Sequence, residues 1–369
     1  MDSLTQLALG ATVAAAALGP RIGPRKAVLV GAALGTAPDL DVLVPLGDAV
    51  SDFVLHRGPT HSLIVQALVT PLFGEALMRW FDGLKGQRAR TYLAVYLCFV
   101  THALIDALTI YGTRLFWPVT PEPFAVGSMF IIDPLYTIPL LAILLWGFAL
   151  KTWSPRFARA TTAALVLSTA YLGWSVLGQQ IAQARGTAAL AKLGVESDRV
   201  IASPTPFNTL YWRVLAVERE RYVNLYLPLF GGDDAITAYA HPRGGYLEGC
   251  ANRIAKARDL MAFSKGFFKL EEVEGRLRVT DLRMGLTPQY VFAFDVAETG
   301  AAGINPIHPV RHSPVREAGD DFDWLFAGLR GVRAIRTSEA SSLIAPEGSA
   351  GKPTALDTGG RDCGRKKQK

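Results

Sequence analysis

With 369 residues, half of them hydrophobic, only 19% charged and a net charge of +6, the chain is long enough for two or three domains and too apolar to be a single soluble body. The charge is uneven: residues 1–180 hold 12 Lys+Arg and 10 Asp+Glu, against 26 and 22 in residues 181–369. The small basic surplus comes with no zinc-finger or RNA-recognition pattern, which argues against nucleic acid as a partner, and Cys98, Cys250 and Cys363 are too far apart for a paired-cysteine metal motif.

A helix that crosses a bilayer needs roughly 20 mostly apolar residues. Six stretches meet or approach this, about 4 to 20, 27 to 46, 62 to 81, 91 to 110, 129 to 150 and 158 to 180. They predict a polytopic transmembrane helical bundle of about six helices over residues 1–180. The first lacks a basic leader and a convincing cleavage site, so it reads as a retained helix. Loops one, three and five carry ten basic residues, whereas loops two and four carry only Arg57 and Arg114. Because Lys and Arg concentrate on the cytoplasmic side, both termini and the even-numbered loops are expected outside the cytoplasm.

After Gln180 the pattern changes to strand-like alternation, as in Tyr222 to Leu229 and Tyr290 to Val296, around a helical stretch near Arg253 to Phe263. This predicts a small α+β domain within 181–297, extracytoplasmic under the same orientation, with its folded part beginning near 195. Residues 298–369 gather Gly, Pro, Ser and charge and are expected to form a low-complexity, largely disordered tail. His241, His308 and His312 lie beside prolines and read as solvated loop residues.

The informative residues are polar groups near the ends of the spans, where burial is costly unless they meet water, a bundle interior or a cation. Asp39 and Asp41, in Pro38-Asp39-Leu40-Asp41, fall toward the outer end of the second stretch. Carboxylates there suit hard or borderline cations, although a cap at the water boundary explains them equally well. His56 and His61 flank a Gly-Pro turn that can fold them toward one point, with Arg57 between them and Thr60 or Ser62 placed to cap the next helix. His102 and Asp106, four apart on a helix, stack on one face, either to share a metal or to let the acid orient the imidazole. Asp133, before Pro134, and Asp2 suit helix starts. Under the charge-derived orientation all of these outer ends converge on one face of the membrane. That convergence predicts a mixed His/Asp metal site near the extracytoplasmic interface.

These residues resemble the YdjM-type family, described as membrane-bound metal-dependent hydrolases of bacterial inner membranes. The likeness rests on Met1-Asp2-Ser3-Leu4-Thr5, on Pro38 to Asp41, on His56 to Ser62 and on Thr101 to Asp106. Tyr111-Gly112-Thr113, Trp117-Pro118, Ile131 to Tyr136 and Ser203 to Asn208 extend it over roughly residues 1–230. One departure is Gln6, where the family commonly has histidine after the first threonine. The resemblance implies hydrolysis of an ester or phosphoester by a bound divalent metal, Zn or Mn. Asp39, Asp41, His61, His102 and Asp106 are then the expected metal ligands. His56 would be a further ligand or proton carrier, Arg57 an anion clamp and Asp133 a group that orients a ligand. The implied setting is a multi-pass protein of the bacterial inner membrane. Membrane lipids would surround it, and a lipid-linked or phosphoester substrate would suit the interface. Two rival readings use the same residues: a transporter or proton relay, and a non-catalytic scaffold held together by the metal.

Overall fold

The structure, a computed structural model, describes residues 1–300, 303–312 and 321–344. It divides into two compact units, the first Met1–Val44, His56–Gln179 and Pro204–Thr209, the second Pro45–Leu55, Gln180–Ser203 and Leu210–Lys369.

In chain order the helices of the first half are α1 (Ser3–Ile22), α2 (Pro24–Thr36), α3 (Ala49–Leu55), α4 (Leu63–Trp80), α5 (Arg88–Ala107), α6 (Pro134–Ala149) and α7 (Pro155–Lys192). Short 3₁₀ helices over Ala37–Leu43 and Pro59–His61 precede α3 and α4. Asp2 starts α1 by accepting from the backbone N–H groups of Leu4 and Thr5. Almost every face of α1 is buried, and it packs against α2, α5 and α6 at the centre of the first unit. Glycines set its approach to α2: a Cβ added at Gly31 would lie 2.2 Å from the Gly10 carbonyl oxygen, and one at Gly10 would lie 2.3 Å from that of Gly31. Gly31 and Gly35 are four apart, the small-residue spacing that lets helix backbones meet closely inside membranes.

Among the described residues, α1 and α7 are long and apolar enough to cross a membrane, and a third span results if Ala49–His61 and Leu63–Trp80 form one broken crossing. The six-span expectation is corrected accordingly. Pro38 stops α2 at 13 residues, a rise of about 20 Å against a hydrocarbon layer of about 30 Å. The 16 residues of α6 also fall short, and α5 begins with Arg88 and Arg90 and carries His102 and Asp106 in its last turns. The first half is thus mostly helical, with two or three candidate spans.

The second unit is a small β-rich domain. Its elements are β1 (Val200–Pro204), β2 (Tyr211–Val217), β3 (Arg221–Pro228), β4 (Thr237–Pro242), α8 (Glu248–Ala251), α9 (Ala255–Phe263), β5 (Phe268–Val273), β6 (Arg276–Asp281), β7 (Gly285–Leu286), β8 (Gln289–Tyr290), β9 (Ala293–Gly300), β10 (Gly303–His312) and α10 (Asp321–Leu329). One four-stranded sheet has the order β1-β2-β3-β4, and a second has the order β10-β9-β6-β5. The β7–β8 hairpin lies between β6 and β9 in sequence, although the two longer strands pair directly. Every residue of β2 is buried, so that strand is covered on both faces.

Two boundaries differ from the sequence expectation. Pro45–Leu55, read as a loop between two spans, belongs to the second unit, where the Phe53 ring centroid lies 4.9 Å from that of Phe263 and 4.2 Å from that of Phe292. Residues 298–344, read as tail, include the end of β9, then β10, α10 and a 3₁₀ segment over Thr337–Ser342, while residues 345–369 lie outside the described residues. Two of the three histidines read as solvated also have partners. His241 is buried in β4 with its Nε2 2.7 Å from Glu339, and His312 on β10 lies 2.6 Å from Asp295. His308 is an exposed residue of β10.

Candidate metal centre

Three chain segments of the first unit deliver four side chains to one point. Asp39 comes from the 3₁₀ turn that follows α2 because Pro38 interrupts the helix. His61 ends the second 3₁₀ turn, just before Ser62 caps α4 by accepting from the Val65 N–H. His102 and Asp106 stand one turn apart on α5. One ligand atom from each lies within 4.8 Å of all the others.

The separations within this group are narrow. His61 Nε2 is 3.1 Å from His102 Nε2, 3.2 Å from Asp39 Oδ1 and 3.4 Å from Asp106 Oδ2. His102 Nε2 is 3.4 Å from Asp39 Oδ1 and 3.6 Å from Asp106 Oδ2. Donors at the corners of a tetrahedron with metal bonds of about 2.0–2.1 Å stand about 3.3 Å apart, and these five separations, every one that involves an imidazole nitrogen, are close to that length.

The surrounding hydrogen bonds fix which nitrogens carry protons. His102 Nδ1 lies 2.6 Å from the Gly35 carbonyl, which only accepts, so the ring proton is on Nδ1. The Thr60 hydroxyl donates to Asp41 Oδ2 at 3.0 Å, so its oxygen accepts from His61 Nδ1 at 2.9 Å. In the neutral rings this arrangement turns the Nε2 lone pairs toward each other and toward two carboxylates. A shared proton would satisfy one pair among these four donors, whereas one cation satisfies all of them. Asp106 Oδ2 supplies the fit test, since it is buried without a hydrogen-bond partner.

The other oxygen of Asp106 is held from several sides. Oδ1 accepts from Gln6 Nε2 at 3.0 Å and from the α-ammonium of Met1. Gln6 thus stands beside the ligand Asp106 as a hydrogen-bond donor, at the position where the resemblance led one to expect a histidine. Arg57 is folded inward rather than presented as an open clamp. Its Nε lies 3.2 Å from Asp106 Oδ2, its Nη1 donates to Thr109 Oγ1 at 3.3 Å, and its guanidinium stacks 4.9 Å from the Tyr111 ring centroid. Arg57 has a positive φ of 61°, a conformation held here by these contacts on both sides.

Asp41 is not one of the four. Its Oδ1 lies 2.9 Å from His56 Nδ1, and its Oδ2 accepts from the Arg57 N–H and from Thr60. It orients His56 and, through Thr60, His61. His56 is partly exposed, and its ring centroid lies 5.8 Å from that of His61. Asp133 stands apart as the cap of α6, with Oδ1 accepting from the Tyr136 N–H and Oδ2 from the Tyr171 hydroxyl at 2.8 Å. Sequence reasoning missed the Gly35 carbonyl and the orienting role of Thr60. The Gly31/Gly35 spacing was the available signal for the former, and the Thr60-His61 adjacency for the latter.

No curated protein and no solved structure gives a significant match to the chain. A family match covers the region that carries the centre, and it accords with the apolar helices and the ordered motifs around the four donors. Residues 1–182 match the model of the family described as YdjM inner membrane protein.

Proposed function

We propose that the centre binds a divalent metal, Zn or Mn, and that the protein is a membrane-bound hydrolase of ester or phosphoester bonds. The observation that carries this reading is the convergence of two bare imidazole nitrogens and two carboxylate oxygens. When bound, such an ion acidifies water and polarises an ester or phosphoester oxygen. Asp39, His61, His102 and Asp106 would hold it. Gly35, Thr60 and Gln6 keep those side chains aimed, and Arg57 positions Asp106 and partly balances its charge.

His56 is the proton carrier in this reading. Asp41 fixes its Nδ1–H, which leaves Nε2 with a lone pair on a partly exposed ring beside the centre. Nε2 takes a proton from the attacking water and returns one to the leaving oxygen. An extracytoplasmic second unit is proposed on one ground alone, the loop charges under the six-span reading of the sequence.

A scaffold reading draws on one specific feature, because four protein donors closing a tetrahedron are usual in structural zinc sites, whereas catalytic sites keep a position open. Asp39 alone of the four is partly exposed, at 19%, and is the ligand that can yield a position to substrate. A proton-relay reading loses its candidate near the cytoplasmic side, since Glu75 is paired with Arg88 at 2.8 Å and Tyr92 at 2.7 Å. The test is turnover of a panel of esters and phosphoesters by purified full-length protein with added Zn or Mn. His56→Ala should keep the metal and lower kcat by about 10²–10⁴-fold. Metal binding with no turnover of any panel member favours the scaffold.

A further inference from the structure

Three of the four donors are sealed. His61, His102 and Asp106 are at most 1% exposed, which leaves Asp39 as the one of the four that solvent reaches. The chain that follows Asp39 is unusually apolar for an open site. Leu40, Val42, Leu43 and Val44 are each more than half exposed, and Leu43 reaches 73%. In the 3₁₀ turn that carries them, Leu40 and Leu43 are three apart and share a face, while Asp39 and Asp41 alternate with them. The entrance therefore combines polar groups, Asp39, Asp41 and His56, with a band of four large apolar side chains.

The backbone limits how deep this entrance lies. A lipid-exposed segment without regular α-helical hydrogen bonding is not tolerated in the hydrocarbon layer. In a membrane protein the band therefore belongs at the headgroup boundary, its side chains facing the upper acyl region. A water-soluble ester would gain nothing from it, and a lipid would gain contact along its chain.

Resting on the hydrolase reading, we infer that the substrate is an amphiphile. Its hydrocarbon chain lies on Leu40, Val42, Leu43 and Val44, and its ester or phosphoester group sits beside Asp39 and His56. In the reaction the water oxygen bonds to the carbonyl carbon or phosphorus, the bond from that atom to the lipid's leaving oxygen breaks, and His56 Nε2 carries the proton from the water to that oxygen.

Phosphatidic acid is a suitable probe because it contains both carboxyl ester and phosphoester bonds. Full-length protein in detergent is photolabelled with phosphatidic acid bearing a diazirine at the end of one acyl chain. The label should map to residues 37–46, be displaced by dioctanoyl but not by dibutyryl phosphatidic acid, and fall about fivefold or more in the Val42→Ser/Leu43→Ser double variant. Retained metal content in that variant would show that the centre is intact. In the turnover arm, the dioctanoyl lipid should exceed the dibutyryl one in kcat/KM by about tenfold or more, as expected when several methylenes leave water, and the double variant should lower that ratio. Labelling that is indifferent to the substitutions, or equal displacement by the short lipid, overturns the inference. Equal kcat/KM for the two lipids also overturns it while leaving the hydrolase reading intact. The expected labelling without hydrolysis of either lipid supports the lipid entrance and defeats the hydrolase reading.

Discussion

The chemistry of the centre depends on where two protons sit. Because Gly35 and Thr60 accept from the Nδ1 atoms of His102 and His61, both Nε2 atoms are free to donate lone pairs 3.1 Å apart. Thr60→Val removes the acceptor that orients His61 without touching a metal-binding atom. It should weaken metal affinity by about 10–100-fold, measured by competition with a chelator of known affinity, and an unchanged affinity would mean that Thr60 does not set the tautomer. The His102/Asp106 pair was legible because helical spacing of four fixes a shared face. Asp39 and His61 were legible only as candidates, since their convergence depends on two 3₁₀ turns that no periodicity announces. Arg57, Asp41 and Asp133 show the limit of such reading. Residue type and loop position allowed a clamp, a ligand and an orienting acid, whereas packing turned Arg57 onto Asp106, Asp41 onto His56 and Asp133 onto the start of α6.

At the scale of elements, the centre rests on the contact between α1 and α2. Gly31 cannot accept a Cβ without moving backbone, because the nearest atom would be the Gly10 carbonyl oxygen at 2.2 Å. Gly31→Val should cost about 1–3 kcal/mol in thermal melts of the detergent-solubilised protein. It should also reduce bound metal, because displacing α2 moves the Gly35 carbonyl that holds His102. Normal metal content in a folded Gly31→Val protein would separate the helix contact from the site. In the second unit, the 3₁₀ segment after α10 places Glu339 in a buried network with His241, Asn224, Tyr226 and Arg336. Burial by itself would raise the Glu339 pKa, but the His241 hydrogen bond, the Arg336 charge and the bonds from Asn224 and Tyr226 outweigh it and hold the carboxyl below its ordinary value. Its stabilising contribution is therefore complete above the ordinary carboxylate range and is lost as pH falls from that range through the lower folded value. Glu339→Gln should flatten the acid side of the stability–pH profile, and Glu339→Ala should cost about 3–5 kcal/mol by leaving its partners unpaired. An acid limb unaltered in Glu339→Gln would assign the loss of stability to other groups. Strands and the α9 helix were legible from alternation and apolar spacing. The ordering of residues 321–344 was not, because Trp324, Arg336 and Glu339 are held by cross-chain contacts that local composition cannot reveal.

For the whole molecule, the division into an apolar first half and a charged second half was written in composition, whereas the two compact units of the structure exchange Pro45–Leu55 and Pro204–Thr209 across it. The number of crossings was not legible, because hydropathy counts apolar residues without seeing that Pro38 shortens α2 or that α6 ends after 16 residues. The orientation reading predicts that alkaline phosphatase fused after residue 300 is active and that a green fluorescent protein fused there is dark. The reverse pattern would place the second unit in the cytoplasm and remove the case for an outward-facing centre. The reading of the centre depends on the cation, and elemental analysis of the purified full-length protein tests it most directly. The account predicts about one equivalent of zinc or manganese per chain, lost in both His61→Ala and His102→Ala while the protein stays folded; the absence of a stoichiometric metal, or a metal content indifferent to both substitutions, would contradict it.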